Sequence, residues 1–516
     1  MQLFASFLKS NPESVPYQDH TALTRGDLAI SIPSSTPSIV WFRRDLRLDD
    51  NPALAAATAA SHESVLCLYI LEDLPNARSM GGASKWWLDK SLRALRTRIE
   101  ALGGTLILRQ GNAQTVIDDV ISETGAQSVF WNRRYEQPGR DIDAALKTQL
   151  HDRGVHAESF NGTLLTEPWT QTTGSGGYYK VYSPYWRAVQ AKYVSADPAE
   201  TPKSFASFNI ASDNLDDWEL HPQSPDWSIG FEGPWQPGED GAKARLAAFL
   251  DGPVSSYKDD RNRPDVETGT SGLSPHLAFG EISPAQIWRA TKNRMDSGLV
   301  KETGAHHFLS EVVWRDFAYV LLFHNPDLAT ENFKRDFDLM PWQADEALLK
   351  AWQRGQTGYP IVDAGMRQLW HTGWMHNRVR MIVASFLTKH LLIHWRHGED
   401  WFWDTLVDAD PASNSASWQW TAGSGADAAP YFRVFNPITQ GEKFDETGDY
   451  VRKWCPELAR LPRKYLYQPW AAGPLILQEA GVKLGETYPE PIVDHKFGRE
   501  RALAAYETLK QRRDAA

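Results

Sequence analysis

Ser38-Ile-Val-Trp-Phe-Arg-Arg-Asp-Leu-Arg-Leu-Asp-Asp-Asn-Pro52 is a five-residue apolar run that passes through a charged turn to a helical pattern starting near Pro52. Four more β-rich runs follow, at 65–71, 105–108, 128–131 and 156–160, and helical patterns begin near Ser84, Asn112 and Gly139 between them. Strands that alternate with helices are βαβ units, and right-handed crossovers lay such strands into one parallel sheet covered on both faces. Residues 37–165 are therefore expected to form a doubly wound α/β domain with five parallel strands. No GxGxxG turn follows the first strand, so a dinucleotide site of the usual kind is not expected there.

Working outward, residues 1–36 are polar, broken by Pro and Ser and without period, and read as a loosely ordered leader. Residues 166–240 are rich in Pro, Gly, Ser and Thr and read as a long interdomain linker. From Ala242 strand patterns vanish and 3.6-residue periods dominate, at 307–323, 346–354, 363–371, 378–395 and 496–513, so 241–516 is expected to be all-helical.

At 516 residues the chain suits two cores. No apolar run reaches the roughly 20 residues a membrane helix needs, residues 2–8 lack the flanks of an export signal, and the only cysteines are Cys67 and Cys455. These features point to a soluble cytoplasmic protein without a disulfide framework. The net charge of -11 means that any nucleic acid must be held by a local basic face. The chain carries 22 tryptophans, mostly expected as core.

The densest chemistry is 357–367, Gly373-Trp-Met-His-Asn-Arg-Val-Arg-Met381, Asp408-Ala-Asp410 with Asn414, Trp418-Gln-Trp420 and the stretches 431–437 and 440–445. Buried charges need partners, so Arg380 is expected to pair with Asp408 or Asp410. Those two carboxylates could alternatively be a metal pair or an acid-base pair, although no further ligand cluster accompanies them. Thr270-Ser-Gly-Leu-Ser274, taken alone, is a helix cap.

The 41–48 stretch, residues 257–274 and both later patches resemble the DNA photolyase and cryptochrome family from about Ser38 to Leu461, and within it bacterial cyclobutane pyrimidine dimer photolyases most closely. The resemblance implies FAD in the helical domain, contacted by Tyr257, Thr270, Ser271, Gly272, Leu273, Ser274, Arg315, Asn377, Arg380, Asp408, Asp410 and Asn414, the last beside the flavin N5. It implies an electron relay of Trp342, Trp395 and Trp418. It also implies a lesion pocket of Glu311, Trp314, Asn377, Arg378, Met381, Trp420 and Gln440, with Glu311, Asn414 and Met381 at the reacting centre. Trp314 and Trp420 would be apolar walls for two joined pyrimidines flipped out of ultraviolet-damaged DNA. Glu136 resembles an antenna contact, with methenyltetrahydrofolate favoured and 8-hydroxy-deazaflavin or no antenna as alternatives.

The implied reaction is blue-light-driven splitting of cyclobutane pyrimidine dimers, and the protein is separately expected to be a monomer. A cryptochrome photoreceptor and a (6-4) photolyase are the rivals. Asn414 and Trp314 lean against the first, and a lone His376 instead of a His pair leans against the second.

Overall fold

The computed structural model describes residues 36–61, 64–73, 77–221, 224–428 and 432–515, so nearly all of the leader lies outside it. Strands β1 (Ser38–Phe42), β2 (Val65–Glu72), β3 (Leu106–Gly111), β4 (Ser128–Asn132) and β5 (His156–Phe160) form one parallel sheet in the order β3-β2-β1-β4-β5. The central strand reads as unbroken apolar sequence because both its faces are covered. Val40 and Phe42 face a core that contains Trp86 and Trp87 of the helix Gly82–Ala101, whereas Ile39 and Trp41 face Val116, Ile117 and Val120 of Ala113–Thr124. Register places Trp41 between Leu68 and Trp131. The third strand begins one residue later than its expected start and runs three residues further. The second helix begins at Gly82, two residues before Ser84, and Asn112 is an N-cap whose side chain accepts from Thr115 N.

Among the described residues no strand follows β5. The segment read as a linker contains the helix Tyr182–Lys192, whose Tyr182, Tyr185 and Val189 join the core of the helical region. Glu302–His324 is the central helix of that core, and Pro284–Asp296 and Pro411–Ala422 pack against it.

The expected continuous helix over 378–395 is corrected. Asn377–Ser385 is α-helical, Phe386–His390 is a π turn, Leu392 adopts φ 56°, and Trp395–Thr405 is a new helix capped by His394 Nδ1, which accepts from Arg396 N. Leu391, Leu392 and Ile393 are all buried. A run enclosed on every side shows no polar face, so its apolar sequence cannot mark the break, and the left-handed leucine, costing roughly 1 kcal/mol, is held by packing and by Gln343 N donating to Leu392 O.

Candidate functional site

The helices converge on a cavity of about 500 Å³. Its wall includes Tyr257, Thr270, Ser271, Gly272, Leu273, Ser274, Glu311, Trp314, Arg315, Asn377, Arg380, Met381, Asp408, Asp410, Asn414, Trp418 and Trp420. These side chains come from segments far apart in sequence, and their exposure grades with depth. Asn377 is exposed, Glu311, Trp314, Met381 and Trp420 are half-buried, and Asp408, Asn414 and Trp418 are buried.

The ion pair expected at Arg380 falls on Asp408, with Nη2 2.8 Å from Oδ2. Arg380 Nε also donates to Met375 O at 2.7 Å. Asp408 Oδ1 is buried and has no protein partner, so this wall of the cavity offers a free acceptor beside a cation. Asp410 differs from it. Its Oδ1 caps Pro411–Ala422 by accepting from Ala412 N and Ser413 N, and its Oδ2 accepts from Tyr319 OH at 3.0 Å with Arg315 Nε at 3.5 Å. Arg315 also donates to Thr163 O at 2.7 Å. Among the described residues no group of three or more His, Cys, Asp or Glu forms a metal cluster, and both aspartates are engaged as above.

The loop Thr270–Ser274 lines one end of the cavity. Gly272 has φ 61°, and a Cβ there would lie 2.5 Å from Arg245 Nη1, so glycine is needed both for the turn and for the approach of that guanidinium. The following helix, Ser274–Ala278, has only five residues. Its dipole is small, and the loop's own hydroxyls and N–H groups are the donors it offers an anionic group.

Asn414 Nδ2 donates to Glu399 O at 3.0 Å and Oε1 at 2.7 Å. Both partners are acceptors, which fixes the amide orientation and leaves Oδ1 for the cavity. The cavity's volume, the loop, the Arg380–Asp408 pair with its free oxygen and the oriented amide together fit a flavin dinucleotide: donors for its phosphates, and polar groups for the ring edge.

At the mouth, Glu311 pairs with Arg261 at 2.6 Å, and burial raises its carboxyl pKa while Arg261 opposes the rise. Trp314 stacks on Tyr182 with ring centroids 3.7 Å apart and planes 14° apart. Trp420 Nε1 donates to Asp427 O at 3.1 Å. Arg378 lies outside the cavity wall, donating to Asn262 Oδ1 at 2.7 Å and standing over the Phe444 ring. Its pKa is lowered by burial and by neighbouring Arg261 and Arg433, so three guanidiniums crowd one side of an acidic protein. Such mutual repulsion is relieved by an anionic partner. Gln440 sits on Pro437–Phe444, outside the cavity wall. His376 is a structural N-cap that accepts from Arg378 N, its pKa pushed down to about 3 by burial and by Arg378 and Arg380.

Of the three expected relay tryptophans, only Trp418 lines the cavity. Trp395 is fully buried in the same core cluster and donates to Asn332 Oδ1 at 2.9 Å. Gly398, one turn on from Trp395, sits so close to Trp418 that a Cβ would overlap its ring. Trp342 is partly buried and meets His394 edge-on at 5.1 Å, and His394 in turn lies 5.5 Å from Trp395. Glu136 is separate from the cavity, just past β4, where its Oε2 accepts from Tyr135 N at 3.1 Å.

Sequence reasoning missed Arg261, Tyr182, Glu399 and Asp316. Asp316, on the central helix, accepts from Leu165 N and Thr166 N through Oδ2, while its buried Oδ1 has no protein partner. Burial outweighs these bonds and lifts its pKa from 3.8 to about 7. The unfolded chain then releases this proton at lower pH than the folded one, so the contribution of Asp316 to stability falls as pH rises from about 4 to about 7. Asp316→Asn is expected to flatten that part of the stability profile, as read by thermal melts at pH 5, 6, 7 and 8; a variant whose melting temperature follows the parent's slope would show that Asp316 does not titrate in this window.

Two family descriptions match the chain: "DNA photolyase" over residues 38–203 and "FAD binding domain of DNA photolyase" over 308–508. A deoxyribodipyrimidine photo-lyase of Agrobacterium fabrum is 54% identical over 92% of this chain and 99% of its own length. Cryptochrome-1 of Arabidopsis thaliana is 37% identical over 92% of this chain and 70% of its own length. Among solved structures, a class III photolyase from Agrobacterium tumefaciens superposes with a TM-score of 0.89 at 53% identity, covering 94% of this chain and all of that one.

Proposed function

The chain belongs to the DNA photolyase family, and from that premise we propose that it is a deoxyribodipyrimidine photo-lyase that repairs cyclobutane pyrimidine dimers in DNA. The observation that carries the reading is the depth gradient of the cavity. A half-buried mouth with two indole walls opens beside crowded guanidiniums and leads to a buried floor of Asp408 and Asn414.

FAD held there in its reduced form would supply light-driven electron transfer to the dimer, with no net oxidation once the two inter-base bonds are open. The protein's part is to bind, orient and keep water out. Arg380, Asp408, Asn414, Arg315 and the loop Thr270–Ser274 would hold the cofactor, with Tyr257 closing one side. Trp314, held by Tyr182, and Trp420 stack on the two extruded pyrimidines, which leave the duplex at reduced cost because a damaged step already stacks poorly. Met381 fills the gap beneath them, a role its flexible thioether suits. Asn377 supplies an amide at the rim. Glu311, its pKa raised by burial, is placed to share a proton with a pyrimidine carbonyl as negative charge arrives on the dimer. Arg261 and Arg378 take neighbouring phosphates, and Gln440, one turn before the Phe444 that Arg378 covers, borders the same face.

Trp418 on the cavity wall, Trp395 and Trp342 would carry electrons toward the bound flavin, with His394 lying between the last two. Residues 37–165 carry the antenna, methenyltetrahydrofolate by preference, near Glu136; 166–240 link; and 241–516 bind FAD and DNA. The protein acts as a cytoplasmic monomer. Cys67 and Cys455 are both free and buried, in keeping with a reducing compartment, and no helix among the described residues is long and apolar enough to cross a membrane.

The deciding experiment is blue-light repair of a thymine dimer in a defined duplex by the reduced, flavin-loaded protein, with a dark control. Light-dependent repair that Glu311→Ala/Trp314→Ala abolishes is expected. Loaded protein that leaves the dimer intact would favour the photoreceptor role of its cryptochrome relatives.

A further inference from the structure

Arg78 stands just before the helix Gly82–Ala101, in the α/β domain, yet its guanidinium is spent on the helical one. Nη1 reaches both oxygens of Glu399, at 2.9 and 2.7 Å, Nη2 lies 2.5 Å from Asp400, and the group covers the Trp403 ring at 4.6 Å. Glu399 is almost fully buried, and its Oε1 is the atom that receives Asn414 Nδ2 at 2.7 Å and Ser415 Oγ at 3.2 Å.

We propose that Arg78 is a positioning residue for the flavin site: it holds Glu399 as a carboxylate across the domain boundary, and the carboxylate, together with the Glu399 main-chain oxygen, fixes the Asn414 amide with Oδ1 toward the cavity. The identity of the ring facing Asn414 rests on the function proposed above; the linkage of the three side chains does not.

An ionised Glu399 can only accept, so it admits only the NH2 end of Asn414. A protonated Glu399 has a donor of its own and no longer demands the NH2 end at Oε1, so the amide is then held only through the Glu399 main-chain oxygen, which accepts from Nδ2 at 3.0 Å in either state. The balance between these states is set by few charges. Burial raises the pKa of Glu399, Arg78 lowers it, and Asp400 on the same helix raises it; Asn414 and Ser415, packed against it from Pro411–Ala422, are neutral. Arg78 is thus the cation that opposes burial at this carboxylate. Its side chain is about one-third exposed, so the pairing is partly screened, and the carboxylate's burial is what gives it leverage.

The test uses the flavin-loaded full chain without DNA. A protonated carboxyl C=O band assigned with Glu399→Gln is followed by infrared difference spectroscopy from pH 5.5 to 9, together with the rate at which reduced flavin reoxidises in air. In Arg78→Met the band and the reoxidation rate are expected to titrate together with a midpoint about 1 to 3 pH units above the parent's. Arg78→Lys is expected to restore most of the shift, and Glu399→Gln to remove the pH dependence. Asp404→Ala, which frees Gly82 N from the same domain contact, is expected to keep the parent midpoint. An Arg78→Met midpoint equal to the parent's, a change that is uniform across pH, or an Asp404→Ala variant that reproduces the shift would each overturn the proposal. Failure of dimer repair by the parent would sink the assigned function and leave this titration unaffected, so the two failures are separable.

Discussion

Asp408→Ala is expected to emerge from purification with little bound flavin and to melt about 3 to 5 °C below the parent, from a loss of about 3 kcal/mol. The deletion does two separable things. It strands Arg380, whose remaining protein partner is Met375 O, with its charge inside a wall that is mostly closed. Removing one member of a buried pair costs about 3 to 5 kcal/mol, and the lower end applies because the Arg380 side chain keeps 23% of its exposure. It also deletes Oδ1, the buried acceptor that no protein group satisfies. If the whole effect appeared in cofactor binding, affinity would fall about 150-fold. Asp408→Asn separates the contributions, since it keeps an acceptor and the shape but removes the charge, and it is expected to retain more flavin than alanine. The ratio of flavin to protein absorbance, with a melt on the same sample, reads both. Normal flavin content in Asp408→Ala would mean that the floor of the cavity is not where the cofactor is held.

What the sequence discloses here follows from how each part is enclosed. The sheet is legible because its strands are short apolar runs bounded by turns, and the alternation of Val40 and Phe42 against Ile39 and Trp41 between two cores needs no information beyond the run itself. The break at Leu392 is illegible because it carries no Gly or Pro and lies in fully buried sequence, where packing overrides local preference. The cavity wall was legible only as ordered motifs, Asp408 to Trp420 above all, since nothing in spacing alone sets Tyr257 beside Asn414. Tyr182 was hidden in a segment whose Gly and Ser content reads as linker, although its ring is what holds Trp314 flat. Arg78 was hidden for a different reason. It is one arginine among many, and its meaning comes entirely from Glu399, more than 300 residues away in the chain. Asp410 and Asp408, two residues apart and alike in sequence, divide into a helix cap and a free acceptor only once their neighbours are known.

Trp314→Ala is expected to weaken binding of dimer-containing DNA about 5- to 150-fold while leaving flavin content unchanged. The range follows from stacking, worth about 1 to 3 kcal/mol per base when an aromatic platform is truncated. The upper part of the range applies here, because Trp314 lies flat on Tyr182 and loses no orientational freedom when a base arrives on its other face. Undamaged duplex should be bound almost as before, since the phosphate contacts proposed above run through the guanidiniums of Arg261 and Arg378, and that binding should retain its steep salt dependence. The two walls are supplied by different helices, Glu302–His324 and Pro411–Ala422, and would touch different pyrimidines. Their losses should therefore approach additivity, with Trp314→Ala/Trp420→Ala close to the product of the single variants. Tyr182→Ala, which leaves Trp314 in place but unsupported, should produce a fraction of the Trp314 defect. Titrations of a labelled duplex with and without one dimer, at two salt concentrations, distinguish these cases. If Trp314→Ala weakened damaged and undamaged DNA equally, the indole would belong to the general DNA face, and the lesion would have to be recognised elsewhere.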